Sequence, residues 1–159
     1  PRHKDLVEEI RKVGARIQLH SDGDVNGSLM AVDPSSPVDV MMGTSGTPEG
    51  VISACAIRGI GGRMLCRLNP QLEKEKKAME EAGMDTSVIL TERDLVKNNN
   101  VFFAATGITG GEFMPGVKFT GAGAETRSLV IRGKTGTVRT IEARHQWKKL
   151  MRISAVKYD

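Results

Sequence analysis

Short apolar runs alternate along this chain with stretches of helical spacing, and that alternation restricts it to a layered α/β arrangement. Asp5 to Val13 sets Leu6, Val7, Ile10 and Val13 among charges at amphipathic helical intervals, and Gly14 closes it. Arg16 to His20 has period two and predicts a strand. Ser21 to Asp24 reads as a turn, and Val25 to Val32 as a short helix weakened by Gly27. Pro34 and Pro37 bracket a loop, and Val38 to Met42 is an apolar run of buried-strand length. Thr47 to Ile60 predicts a mostly apolar, buried helix with Pro48 in its first turn. Gln71 to Ala82 predicts a surface helix ended by Gly83, and Val88 to Thr91 and Val101 to Ala105 predict strands. Ser128 to Arg132 and Thr137 to Ile141 flank Gly133-Lys134-Thr135-Gly136, a hairpin signal. The expected fold is α/β, a layered α/β/α domain with a central mixed sheet, as one domain over residues 1–159.

Aromatic residues make up only 4%, so the core of such a domain must be aliphatic. The net charge is +4, but lysines and arginines are interleaved with acids. The densest run, Glu73-Lys74-Glu75-Lys76-Lys77, reads as a solvated helix face. With one Trp, one Tyr and four Phe there is no stacking platform for single strands, and no nucleic-acid partner is expected. No apolar run reaches the roughly twenty residues a membrane span needs. Cys55 and Cys66 have no Cys-x-x-Cys partner and no nearby His, which predicts two buried free thiols in a reducing, cytoplasmic setting. No secretory signal is visible, and a first residue of Pro1 leads us to expect a trimmed N-terminus.

The candidate chemistry lies in two places. Asp22-Gly23-Asp24 follows the first predicted strand, and Gly43-Thr44-Ser45-Gly46-Thr47-Pro48-Glu49-Gly50 follows the second and opens a helix. In open α/β sheets ligands bind beyond the C-terminal strand ends. If the two strands are neighbours, Asp22, Asp24 and Glu49 face one crevice, and a hard cation wants such oxygens together with substrate phosphate. The glycines let backbone N–H groups approach an anion at a helix start. The alternative is that Asp22 and Asp24 are turn and cap residues and that the glycine loop is an ordinary strand–helix turn. Arg2 either contacts a phosphate or belongs to a frayed end. Gly133-Lys134-Thr135 fails as a P-loop because Ser128 stands where the first glycine is needed. Lys134-Thr135-Gly136 lacks a companion Ser-x-x-Lys and fails as a penicillin-recognising motif. His3, His20 and His145 have no ligand spacing to one another, and Thr106 to Gly111 reads as a plain turn rather than a second anion loop.

Several stretches recur together and in order: Pro1-Arg2-His3; Asp22-Gly23-Asp24-Val25; Gly43-x-x-Gly46-x-Pro48-Glu49-Gly50-Val51; Asn100-Val101-Phe102-Phe103-x-Ala105-Thr106-Gly107-Ile108-Thr109; and Ile131-Arg132-Gly133-Lys134-x-x-Thr137-Val138-Arg139. As an ordered set they resemble the C-terminal half of class II, GlpX-type fructose-1,6-bisphosphatases, from Pro1 to about His145. The resemblance implies the C-terminal lobe of an inositol-monophosphatase-like sugar-phosphatase fold, and hydrolysis of the 1-phosphate of fructose 1,6-bisphosphate with Mg²⁺ or Mn²⁺. Some members also take sedoheptulose 1,7-bisphosphate. It implies substrate contacts at Pro1, Arg2, Asp22, Gly23, Asp24 and Gly46, and a metal ligand at Glu49. It confers no catalytic residue within this half. The family's other metal ligands come from an N-terminal half with an Asp-Pro-x-Glu-Gly-Thr stretch, and the Pro-Glu-Gly run at Glu49 is the only one here. The chain alone is therefore expected to be inactive, and to need that half or another subunit. An exposed apolar docking surface and a homo-oligomer are also expected. The alternative function is a non-catalytic sugar-phosphate-binding or assembly module.

Overall fold

A long hairpin organises the main sheet. Gly123–Arg132 and Thr137–Gln146 pair antiparallel over ten residues each, closed by the turn at residues 133–136. The hairpin expected at Ser128 to Ile141 is present and runs five residues further on both arms. Its distal arm contains glycine, alanine and charges that carry no strand signal. Pairing with Lys118–Thr120 and a 2.9 Å bond between Thr126 Oγ1 and His145 Nε2 hold it instead. Propensity yields here to cross-strand partners.

The structure, a computed structural model, describes residues 3–20 and 23–154. In chain order the helices are α1 (Lys4–Lys12), α2 (Asp24–Val32), α3 (Thr47–Ile60), α4 (Glu73–Glu81), α5 (Glu92–Leu95) and α6 (Trp147–Ile153). The strands are β1 (Leu65–Cys66), β2 (Leu90–Thr91), β3 (Phe102–Thr106), β4 (Lys118–Thr120), β5 (Gly123–Arg132) and β6 (Thr137–Gln146). Strand β5 is central: β6 lines one side, and β3 and β4 share the other. A separate two-stranded ladder joins β1 to β2.

The α/β class is as the alternation implies, although every described pairing is antiparallel where a mixed sheet is predicted. The reason lies in Arg16 to His20 and Val38 to Met42. Neither is paired into a sheet among the described residues. Val38 to Met42 is not buried either: Val40 is 68% and Met42 57% exposed.

Phe103 and Ala105 of β3 stand opposite Ile131 and Leu129 of β5. Leu29 of α2 and Ala56 of α3 join Phe103, Leu129 and Ile131 to form the core cluster, so both helices cover that one sheet face. The approach is close because of Gly59: a Cβ there would stand 2.7 Å from Ile131 Cγ2. The opposite face keeps Phe102 and Phe119 exposed. Phe119 stacks on Trp147, and the Arg132 guanidinium lies 4.2 Å over Phe102. Helix α3 is buried along one side only, since Val51 and Ile52 are exposed. Cys55 and Cys66 are free but half-buried rather than buried. Burial and the nearby Asp94 carboxylate raise the Cys66 thiol pKa. Helix α4 has no buried residue, as its charge pattern predicts.

Glu92 has no warning in the sequence, being the first residue of a four-residue helix and 3% exposed. Burial raises its pKa, but the Met64 N–H at 3.1 Å, its own backbone N–H and the guanidinium groups of Arg63 and Arg93, each 3.6 Å away, bring it below the ordinary range. Ionised Glu92 thus stabilises the fold fully above its unfolded pKa, about 4.3, and the stabilisation is lost as pH falls through the lower folded value. In urea denaturation, Glu92→Gln is expected to be less stable than the parent at pH 7, and the two curves to converge in acid. A pH-independent gap would contradict this charge-based role.

Candidate functional site

Gly46 caps the N-terminus of α3 and Glu49 lies in that helix's first turn, three residues on. A Cβ on Gly46 would overlap Glu49 Oε2, so the carboxylate folds back into the space that glycine leaves open. Glu49 is exposed, and among the described residues it has no hydrogen-bond or ion-pair partner. An anionic side chain at a helix N-terminus is favoured by the exposed backbone N–H groups there. Its lone pairs are free for a cation or a hydrogen-bond donor from outside this set of residues. Gly46→Ala is expected to push the carboxylate out of place. A structure of the variant should show the Glu49 carboxylate displaced from the start of α3, and an unchanged carboxylate position would show that Gly46 does not set it.

Gly23 caps α2 in the left-handed region, φ 82°, and Asp24 is the first helical residue. Asp24 is half-buried, and its carbonyl accepts the Ser28 hydroxyl at 2.9 Å. Pro1, Arg2 and Asp22 lie outside the described residues.

Packing draws the segments that carry these positions together. The Thr44 N–H donates to His3 Nε2 at 3.0 Å, and the His3 ring lies against Gly43. Met41 reaches to within 3.4 Å of where a Gly27 Cβ would stand, so the run into the glycine loop packs on α2 just past Asp24. Sequence reasoning missed the His3–Thr44 contact, since its partners are 41 residues apart and no local pattern links them. Residues 107–117 close on themselves, with Gly111 N–H bonded to Met114 O and Val117 N–H to Ile108 O. They form a closed loop, and Gly111 comes against Asn26 of α2.

Two clefts flank this region. One, of about 470 Å³, is lined by Gln18, Met30, Asp33, Pro37, Glu112 and Phe113, and Gln18 bonds Glu112 across it. The other, of about 460 Å³, is lined by His3, Lys4, Val7, Arg11, Leu19 and His20. Neither is lined by Gly23, Asp24, Gly46 or Glu49. Among the described residues no group of three or more His, Cys, Asp or Glu side chains is disposed to hold a metal ion. Among the described residues Glu49 therefore stands as a lone carboxylate rather than as part of such a group.

Glycine-capped helix starts with nearby carboxylates are the kind of site that serves phosphate chemistry. Comparison with known proteins gives the family. The profile described as bacterial fructose-1,6-bisphosphatase, glpX-encoded, matches residues 1–145. The chain is 36% identical to a protein of Haemophilus influenzae named fructose-1,6-bisphosphatase class 2, over 96% of this chain and 50% of the relative. It is 38% identical to a Synechococcus protein, strain JA-3-3Ab, named D-fructose 1,6-bisphosphatase class 2/sedoheptulose 1,7-bisphosphatase, over 91% of this chain and 45% of the relative. The chain belongs to the class II, glpX-type fructose-1,6-bisphosphatase family. It spans about half the length of the curated relatives it matches. No helix among the described residues is long and apolar enough to cross a membrane.

Proposed function

We propose that residues 1–159 form the sugar-phosphate-binding lobe of a metal-dependent phosphatase that removes the 1-phosphate of fructose 1,6-bisphosphate in the cytoplasm. Sedoheptulose 1,7-bisphosphate is the second substrate to test, because the Synechococcus relative's name includes that activity. The observation that carries the reading is the Glu49 carboxylate seated over Gly46 at the start of α3, exposed and without a partner among the described residues.

In this reading Glu49 supplies one ligand to Mg²⁺ or Mn²⁺. Gly46 keeps the space beside it open, and Gly23 and Asp24 face the sugar phosphate together with Pro1, Arg2 and Asp22. His3 holds the 43–49 loop in place through Thr44. Divalent cations at such a site neutralise phosphoryl oxygens and activate water. The remaining ligands come from the half of the family's length that this chain does not span.

Two consequences separate this from a purely binding module. The 159 residues alone release no phosphate from fructose 1,6-bisphosphate with Mg²⁺ or Mn²⁺. Joined to the half of the Haemophilus influenzae relative that lies outside the match, they do. Robust metal-dependent turnover by the lone chain, or none by the joined protein, would refute the assignment.

A further inference from the structure

Strand β6 is a free edge of the main sheet. Over ten residues it pairs with β5 on one side, and among the described residues no strand pairs with its other side. An edge strand presents unpaired backbone N–H and carbonyl groups to any chain that can add to it, and proteins ordinarily blunt long edges with proline, lysine, a bulge or a cover. Strand β6 contains no proline, lysine or glycine. Its one-to-one register with β5 is unbroken, so it holds no bulge. Val138 and Ile141 on it are nearly half exposed. Its charges are ordered as well. Glu142 stands opposite Arg127 and pairs with it, and Arg144 stands opposite Glu125 with its Nε 3.4 Å from Oε1.

We propose that β6 is a self-association edge: it adds antiparallel to the β6 of a second copy of this chain, about a two-fold axis through Ala143, so that the two sheets become one. Charge complementarity selects this occupant. A two-fold axis perpendicular to the sheet sets one residue opposite its own copy and thereby fixes every other pair. Centred on Arg139, Glu142 or Arg144, it sets like charges against each other, which destabilises a sheet. Centred on Thr140 or Ile141, it leaves each charge of β6 opposite an uncharged residue. Centred on Ala143, it sets Glu142 opposite the second copy's Arg144, and Arg144 opposite the second copy's Glu142. The row across β5, β6 and the two strands of the second copy then reads Glu125, Arg144, Glu142, Arg127, alternating in sign, and the symmetry repeats it. Both inner side chains have capacity left for this. Glu142 uses Oε1 for Arg127 and Arg144 uses Nε for Glu125, leaving Oε2 and the two Nη groups to meet across the axis. The inference stands apart from the proposed activity, since no residue of the candidate site lies on β6.

Sedimentation velocity of the 159-residue chain is the test. The chain should sediment as a dimer that dissociates on dilution. Glu142→Arg and Arg144→Glu should each weaken self-association by about tenfold or more, because each turns two attractive cross-strand pairs into repulsive ones. An equimolar mixture of the two variants should recover the dimer, since in the mixed pair the facing charges are again opposite. A cysteine pair reads the same register without reversing a charge. In a Cys55→Ser, Cys66→Ser background, Ala143→Cys should join two chains by a disulfide under mild oxidation, because directly opposed residues lie within reach of one. Ile141→Cys stands opposite His145 of the second copy, four residues from its own counterpart, and should not cross-link. A chain that stays monomeric at every concentration would overturn the proposal. So would a dimer that neither charge reversal weakens, or a mixture that fails to recover it. Cross-linking through Ile141→Cys in place of Ala143→Cys would overturn the pairing about Ala143.

Discussion

Replacing Glu49 by Gln in the joined, complete enzyme should lower the rate of phosphate release from fructose 1,6-bisphosphate by about 100-fold or more. The change keeps the side chain's size and removes its charge, which a hard divalent cation requires. Glu49 is exposed and makes no bond to the described residues, so its replacement should leave stability within about 0.5 kcal/mol. Loss of activity without loss of fold is the signature of a ligand. The deficit should shrink as Mn²⁺ is raised, because the lost interaction is with the metal. A variant with full activity would remove Glu49 from the site, whereas one that unfolds would assign it a structural role that the geometry does not show.

The largest effect on stability should come from Ile131→Ala. Ile131 is 1% exposed and the largest fully buried side chain in the core. It stands between Phe103 on β3 and Gly59 on α3. Truncation in such a site removes transfer energy and leaves a cavity, at about 3–4 kcal/mol. That is a large part of the 5–15 kcal/mol typical of a domain. Ile141→Ala, at a side chain 46% exposed, should cost about 1 kcal/mol or less. Gly59 provides an internal check. Gly59→Ala alone forces a Cβ against Ile131 Cγ2, 2.7 Å away, and should destabilise by about 1–3 kcal/mol. In the Ile131→Ala background the added methyl enters the new cavity, so the double variant should be less destabilised than the sum of the two by about 1 kcal/mol or more. Additive urea-denaturation energies would mean that α3 does not approach β5 as closely as the structure places it.

Elements whose determinants are local were legible in the sequence. Helices α1, α2, α3 and α4, strand β3 and the hairpin turn all lie within a few residues of where spacing puts them. The same holds for the Gly46–Glu49 unit, because a helix start brings residues three apart onto one side. What failed depended on partners far away in sequence. Arg16 to His20 and Val38 to Met42 have strand patterns, but a pattern cannot supply the neighbour that makes a strand. Conversely, the first five residues of β5 look unlike a strand and become one through β4 and β6. Glu92 reads as a surface acid and is buried because Met64, 28 residues earlier, needs an acceptor. The bond from Thr44 to His3 is likewise invisible to any local window.

Anomalous diffraction from Mn²⁺ in crystals of the complete enzyme soaked with phosphate tests the central claim most directly. The account predicts a Mn²⁺ peak about 2.1 Å from a Glu49 carboxylate oxygen, with the phosphate lying between Gly46 and the Gly23–Asp24 start of α2. A metal bound away from Glu49, with Asp24 and Glu49 opening into separate cavities, would contradict it.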